Sequence, residues 1–210
     1  NVCALDDQYM SIVGITNAFN LIDSMDGLVA GLTFIIASFF TVIVFVAGQI
    51  LLAQLSGMLI GLSLGLYFYN KPPAHFFLGD SGSQVIGFLL AVIAIMYRPP
   101  DLNPESTWFA PILLLGVPIF DTSLVVISRL RRRKPLFQAD RAHTYHRLVQ
   151  RGFSSKQAVF LIHSSALILS FLALLAMFLP PKNAIFLFLL VLLLGSLLVF
   201  FFETSMKLEE

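Results

Sequence analysis

Charged residues are scarce in this sequence. They make up 12% of its 210 residues, whereas a soluble domain carries about a quarter. The single cysteine, Cys3, excludes an internal disulfide. Apolar residues take their place: 58% of the chain is hydrophobic, and unbroken apolar runs of about 20 residues, enough to span about 30 Å of hydrocarbon as helices, recur along it. This composition excludes an ordinary soluble domain.

The sequence therefore predicts an all-α, polytopic membrane protein with one transmembrane domain over residues 1–210. One short N-terminal helix, Tyr9–Ile22, is expected first. Six full transmembrane helices should follow, at about 28–48, 50–69, 83–97, 108–128, 158–179 and 184–202. The segments between them are short or rich in Pro and Gly, as turns are.

The distribution of basic residues predicts the orientation. Nine of the thirteen Lys and Arg residues lie in segment 129–156, and the positive-inside rule places such a loop in the cytoplasm. Counting crossings from this loop puts segments 17–26 and 70–83 on the same side. We therefore expect three polar clusters, distant in sequence, to meet at the cytoplasmic face.

The first cluster consists of Asn17, Asn20, Asp23 and Asp26. Steps of three place these side chains along one slowly drifting helix face. Their oxygens suit Mg²⁺, and a carboxylate can also accept a proton from an attacking group. The alternative is that an Asp merely caps the following helix.

The second cluster is NKPPAHFFLGDSGS, residues 70–83, in which Asp80 lies among glycines and serines at the start of an apolar helix. Free N–H groups at a helix start attract phosphate. An Asp there repels phosphate unless a cation lies between them. A helix cap in a glycine-rich turn is again the alternative.

The third cluster, residues 129–148, combines a basic run with Arg141, His143 and His146. These side chains suit a diphosphate, although the basic run alone would also serve to fix topology. A zinc site is the weaker alternative, because no Cys or third ligand accompanies the two His. Asp121, within an apolar helix, is expected to face the bundle interior and pair with a basic side chain.

Taken together, the clusters predict phosphoryl transfer with a divalent metal at the cytoplasmic membrane face. A transporter is an alternative, but transporter charges lie deep within helices, whereas the acids here lie mostly at helix ends.

Three motifs resemble those of the polyprenyl-phosphate N-acetylhexosamine-1-phosphate transferases, the MraY and WecA/TagO enzymes. NAFNLIDSMDGLVAG is similar to the family's NAxNLxDGxDGLAxG, and NKPPAHFFLGDSGSQVIG to NxxPAxxFxGDxGSxxxG. PIFDTSLVVISRLRRRKPLFQADRAHTYHRL is similar to PxxDTxxVxxxRxxxGxSPFxPDRxHxHHRL, the form of the WecA/TagO branch. Ser24 and Tyr145 depart from this pattern, where Gly and His are usual.

The resemblance implies roles for the candidate residues. Asp80 would bind the metal, with Asn20 as an added ligand, and Asp23 and Asp26 would line the catalytic cleft. The remaining implied roles are as follows: Asn17 contacts substrate, Asn70 and Phe77 bind and stack on uracil, and Arg141, His143 and His146 hold diphosphate and sugar.

The resemblance also implies a reaction. Such enzymes move GlcNAc 1-phosphate from UDP-GlcNAc to undecaprenyl or another polyprenyl phosphate and release UMP, using Mg²⁺ or Mn²⁺, in cell-envelope polysaccharide synthesis such as lipopolysaccharide or teichoic acid. The setting would be the bacterial inner (plasma) membrane, with a homodimer among the expected partners and no nucleic acid.

The family carries an Asp-Asp pair and further helices upstream, and Asp6-Asp7 resembles that pair. We therefore expect a chain that lacks its N-terminal part. The alternative function is a non-catalytic membrane homologue that binds nucleotide-sugar.

Overall fold

The computed structural model describes residues 2–98, 108–133, 135 and 143–205, and within them it contains helices and no strand. In chain order the helices are α1 (Val2–Ile22), α2 (Leu28–Val46), α3 (Ile50–Asn70), α4 (Gly79–Met96), α5 (Ala110–Leu114), α6 (Gly116–Arg131), α7 (Thr144–Gln150), α8 (Ser155–Ala176) and α9 (Pro181–Ser205).

The predicted fold class is confirmed. Within the described part of the chain, five helices, α2, α3, α4, α8 and α9, are long and apolar enough to cross a membrane. Three of them, α4, α8 and α9, begin three or four residues earlier than predicted, and polar residues start the first two. The α4 helix starts at Gly79 rather than residue 83. The α8 helix starts with a capping box, in which Ser154 and Gln157 satisfy each other's backbone N–H groups.

The N-terminal helix is longer than the predicted 14-residue piece. α1 extends over 21 residues, Val2–Ile22, about 31 Å at 1.5 Å per residue. The sequence before Tyr9 contains polar residues but no Pro or Gly, so nothing there ends a helix. Asp6, which is exposed, consequently lies about 21 Å along the helix axis from Asn20.

The prediction of a single helix at 108–128 is wrong. Leu115 interrupts it and separates α5, of five residues, from α6, of sixteen. Pro118 explains the break, because it has no N–H to donate to the carbonyl of Leu114, four residues earlier. Gly116 lets α8 approach this point closely, since a β-carbon there would overlap the Leu169 side chain.

Hydrogen bonds show which helix ends lie together. Gly27, just before α2, is bonded to Asn70, the last residue of α3. At the opposite end of the bundle, Gln49, between α2 and α3, bonds to the carbonyl of Met96 and the N–H of Arg98 after α4. We call the end where α1 and α3 finish and α2 and α4 begin the site end.

The interior of the bundle forms around α1 and α2. The α1 helix packs against α4 and α6, while α2 packs against α3 and α8. The fully buried large side chains of these helices include Phe19, Leu32, Ile36, Phe40 and Leu90.

His163 joins α8 to the start of α2. Its Nε2 lies 3.0 Å from the carbonyl oxygen of Leu28. The ring sits directly over Gly31, where an added β-carbon would overlap it. A glycine is therefore required at residue 31 by close packing.

We predict that Gly31→Ala lowers the thermal stability of the purified protein, because the ring must leave its position and its bond to Leu28. Overpacking of this kind costs about 1–3 kcal/mol. Gly57→Ala, in α3, is the matched control, since a β-carbon at residue 57 meets nothing within 4 Å.

Melting temperatures in detergent test this prediction. His163→Ala should make Gly31→Ala nearly harmless, because the overlapping ring is then absent. Equal stability of Gly31→Ala and Gly57→Ala would contradict the close contact.

Candidate active site

The loop between α1 and α2 displays the carboxylates of the first cluster. The α1 helix ends at Ile22, and Asp23 and Asp26 fall in the turn before α2. Gly27 closes this turn with φ of 76°, a left-handed conformation that glycine adopts without strain. Its N–H does not continue a helix but donates to Asn70 Oδ1 at 2.8 Å.

Asn70 ties this loop to the second cluster. Its side chain is buried, with 6% of the residue exposed. While Oδ1 accepts the bond from Gly27, Nδ2 donates to the carbonyl of Phe76 at 2.7 Å. Asp26 Oδ2 accepts a second cross-loop bond from the N–H of Ala74, at 3.2 Å. The structure thus brings the first two clusters together.

Asp80 lies in the first turn of α4 and is exposed. The side-chain amide of Asn20, on the last turn of α1, donates to Asp80 Oδ1 at 3.3 Å and to Ser83 Oγ at 3.1 Å. One amide therefore fixes the spacing between the end of α1 and the start of α4.

Asp23 is the most perturbed acid at the site end. Burial, and then the negative charge of Asp80, raise the pKa of Asp23 from 3.8 to about 6. A carboxyl with this pKa changes protonation state close to neutral pH, as general acids and bases do. Both causes destabilise the ionised form of Asp23, because too little positive charge lies near its carboxylate to compensate for them.

These side chains fit a magnesium ion better than a zinc ion. Among the described residues, no three or more His, Cys, Asp or Glu side chains come close enough together to hold a metal. Zinc needs such a set. Mg²⁺ binds one or two carboxylates and completes its shell with waters and substrate phosphates, so Asp80 would suffice as the carboxylate ligand. Asn20 points its nitrogen at Asp80 and would have to present its oxygen instead.

His143 is held by an acid from another helix. It lies at the start of α7, and its Nδ1 is 2.7 Å from Asp121 Oδ2. The backbone N–H of Thr144 donates to Asp121 Oδ1 at 2.6 Å. Asp121 is 2% exposed. The prediction that it faces the interior and pairs with a basic side chain is confirmed, and the pairing leaves Nε2 of His143 for other partners.

The third cluster lies at the same end as the other two. The α8 helix, which follows α7, bonds through His163 to Leu28 at the start of α2. The α6 helix, which carries Asp121, packs against α1. His146 is half-buried in the first turn of α7. Arg141 lies outside the described residues.

Two other predicted residues are on the surface of the site end. Asn17 is exposed on α1, and 74% of Phe77 is exposed in the loop before α4. An exposed ring beside Asp80 is placed as a stacking surface would be. Its contact with uracil stays a prediction.

Sequence reasoning missed one buried ion pair near the third cluster, Arg147 with Glu203. A signal existed, because Glu203 is a lone acid at the end of a long apolar helix, and an isolated charge at membrane depth requires a partner.

Comparison with known proteins bears on this arrangement. Residues 8–98 match the family Glycosyl transferase family 4. The match includes Asn20, Asp23, Asn70 and Asp80, the residues that join the first two clusters. The chain belongs to glycosyl transferase family 4.

Three relatives describe this family membership more finely. The chain is 40% identical over 162 residues to the "Probable undecaprenyl-phosphate N-acetylglucosaminyl 1-phosphate transferase" of Bacillus subtilis, covering 76% of this chain and 44% of the relative. It is 30% identical to the "Undecaprenyl-phosphate alpha-N-acetylglucosaminyl 1-phosphate transferase" of Yersinia pestis, covering 85% and 50%. It is 38% identical to the "Phospho-N-acetylmuramoyl-pentapeptide-transferase" of Rubrobacter xylanophilus, covering 65% and 40%.

The predicted resemblance to polyprenyl-phosphate hexosamine-1-phosphate transferases is thereby confirmed. The chain spans about half the length or less of these family 4 relatives.

We predict that Asp23→Asn stabilises this family 4 protein in the absence of divalent metal. Because folding raises the pKa of Asp23 from 3.8 to about 6, the folded state holds this proton more tightly than the unfolded state. Stability is therefore lost as pH rises through that window. Because Asp23 is partly exposed, the free energy of unfolding should rise by about 1 kcal/mol. This corresponds to a melting temperature higher by about 2–4 °C.

Melting temperatures at pH 4 and pH 7.5, with a chelator present, measure this effect. The gain should be present at pH 7.5 and small at pH 4. Asp6→Asn, an exposed acid at the far end of α1, is the control and should change neither value. A destabilised Asp23→Asn at pH 7.5 would refute the unfavourable charge at residue 23.

Proposed function

We propose that this protein transfers GlcNAc 1-phosphate from UDP-GlcNAc to polyprenyl phosphate, with release of UMP, at the cytoplasmic face of the bacterial inner membrane. The observation that carries the proposal is the junction of Asn20, Asp80 and Asp23 at the site end. Two carboxylates with insufficient positive charge around them favour a metal–diphosphate ligand. The names of the Bacillus and Yersinia relatives support the sugar and the lipid.

In the proposed reaction, an oxygen of the lipid phosphate attacks the β-phosphorus of UDP-GlcNAc. A new P–O bond forms to the lipid phosphate, the bond between β-phosphorus and the bridging oxygen breaks, and UMP departs with that oxygen. A lipid diphosphate carrying GlcNAc remains. Asp23, with its pKa of about 6, is suited to accept a proton from the attacking phosphate near neutral pH.

Asp80, with Asn20 as an added ligand, would hold the divalent metal, which supplies electrostatic stabilisation of the charge that develops on the transferred phosphoryl group. His143, with Nδ1 bonded to Asp121, would direct Nε2 toward the diphosphate together with His146 and Arg141. Phe77 would stack on uracil, with Asn70 and Asn17 beside it. Asp26, bonded to Ala74, would keep the Phe77 loop next to the carboxylates.

A second candidate function is nucleotide-sugar binding without turnover. Asp6, from the pair that resembles the family's upstream acids, lies about 21 Å along α1 from Asn20. An acid at that distance does not reach the Asp23–Asp80 junction. This position favours a protein that binds UDP-GlcNAc but does not present the lipid phosphate.

The two candidates are separated by assaying UMP release from UDP-GlcNAc by the full chain in lipid nanodiscs containing undecaprenyl phosphate and Mg²⁺. We expect UMP release that depends on the lipid phosphate. Asp80→Asn should lower it by about 100-fold or more, as loss of a group that stabilises the transition state does.

Several results would decide against the proposal. Binding of UDP-GlcNAc without UMP release would favour the second candidate, and absence of both would contradict each. Turnover by Asp80→Asn within about threefold of the parent would remove Asp80 from the mechanism, since that is less than about 1 kcal/mol. UDP-MurNAc-pentapeptide, tested in parallel, should be a poorer donor.

A further inference from the structure

A buried ion pair connects α7 to the last helix. Arg147 Nη1 lies 2.9 Å from Glu203 Oε1, and the two side chains are 1% and 4% exposed. Charges this deeply buried cost several kcal/mol each unless they are paired. The pair must therefore stay closed for both residues to remain where they are.

Further contacts converge on the same end of α9. Arg147 Nη1 also donates to the carbonyl of Phe202, at 3.3 Å. The Arg151 guanidinium lies 4.3 Å from the centre of the Phe202 ring and 4.9 Å from that of Phe201. Arg131, at the end of α6, is 3.9 Å from the other carboxylate oxygen of Glu203.

Most of the rest of α9 is exposed, apart from the buried Ala184 and the Phe188 ring, which stacks on the Phe109 ring with 4.7 Å between their centres. Only 6% of its most apolar stretch is buried within the chain, so its side chains face lipid. Apolar contact gives helices little drive to associate in a bilayer. The buried residues near its C-terminal end, Phe202 and Glu203, thus provide specific attachment there.

The α7 helix depends on such attachments. It has seven residues, too few to be stable alone. His143, Arg147 and Arg151 follow one another at intervals of four and so lie along one helix face. Asp121 holds the start of this face, and Glu203 and Phe202 hold its continuation. His146, one residue before Arg147, is oriented by the same anchoring.

We infer that Glu203 is a positioning residue that acts through Arg147 to hold His143 and His146 at the active site. The inference rests on the proposed function for its catalytic consequence. Without Glu203, α7 keeps its Asp121 anchor and its contacts with Phe202 but loses the ion pair, so the two His side chains shift relative to the donor diphosphate.

The test compares Glu203→Gln with the parent in UMP release and in hydrogen exchange of residues 144–150. We expect kcat to fall about tenfold to a hundredfold, as displacements near 1 Å do, and KM for UDP-GlcNAc to rise. KM for the lipid phosphate should be unchanged, and exchange in 144–150 should become faster. Ser196→Ala, on the exposed part of α9, is the control and should match the parent.

Two further variants separate positioning from simple loss of stability. The charge exchange Glu203→Arg with Arg147→Glu should recover part of kcat. In a His146→Ala background, Glu203→Gln should lower kcat by a smaller factor, because the group it positions is absent. Lower stability with unchanged kcat and KM of the folded fraction would overturn the inference.

The inference and the proposed function fail in different ways. A parent protein that releases no UMP contradicts the proposed function. Unchanged exchange of residues 144–150 in Glu203→Gln contradicts the anchoring of α7, whether or not the parent is active.

Discussion

The buried amide of Asn70 is the interaction on which the site end depends. Its Oδ1 accepts a hydrogen bond from the N–H of Gly27, and its Nδ2 donates one to the carbonyl of Phe76. The oxygen therefore holds the loop between α1 and α2, and the nitrogen holds the loop before α4. A backbone N–H left unpaired at a buried helix start is costly, and this bond removes that cost. Because Asp23 and Asp26 lie in the held turn and Asp80 follows the held loop, this asparagine sets the spacing of the three carboxylates together with the Asn20 amide.

Much of this arrangement was predictable from the sequence because it follows from hydrophobic length and the placement of arginine. The α2 and α3 helices lie within two residues of their predicted bounds. The meeting of Asn20 with Asp80 follows from counting crossings. The break at Leu115 was missed because counting apolar residues ignores the missing N–H of Pro118. The start of α1 was missed because the prediction placed the polar residues before Tyr9 outside the helix, although polar residues do not by themselves end a helix.

Partner identities were not predictable in the same way. A lone acid in an apolar helix requires a partner, and the sequence indicated this for Asp121. Several basic residues of segment 129–156 were candidates, and only packing of α7 selects His143. Asn70 is similar: the family resemblance implied a substrate contact, whereas the structure uses both ends of its amide between two loops. Its contact with uracil stays a prediction.

Charge is used in opposite ways on the two sides of the site end. Around α7, the buried acids have partners within the protein: Asp121 lies against His143, and Glu203 pairs with Arg147. Such contacts fix geometry. At the Asp23–Asp80 junction, by contrast, burial and then the negative charge of Asp80 raise the pKa of Asp23. A site that stores unfavourable negative charge favours a cation, and in the proposed function the phosphates of the substrate would meet histidines that are already held in place.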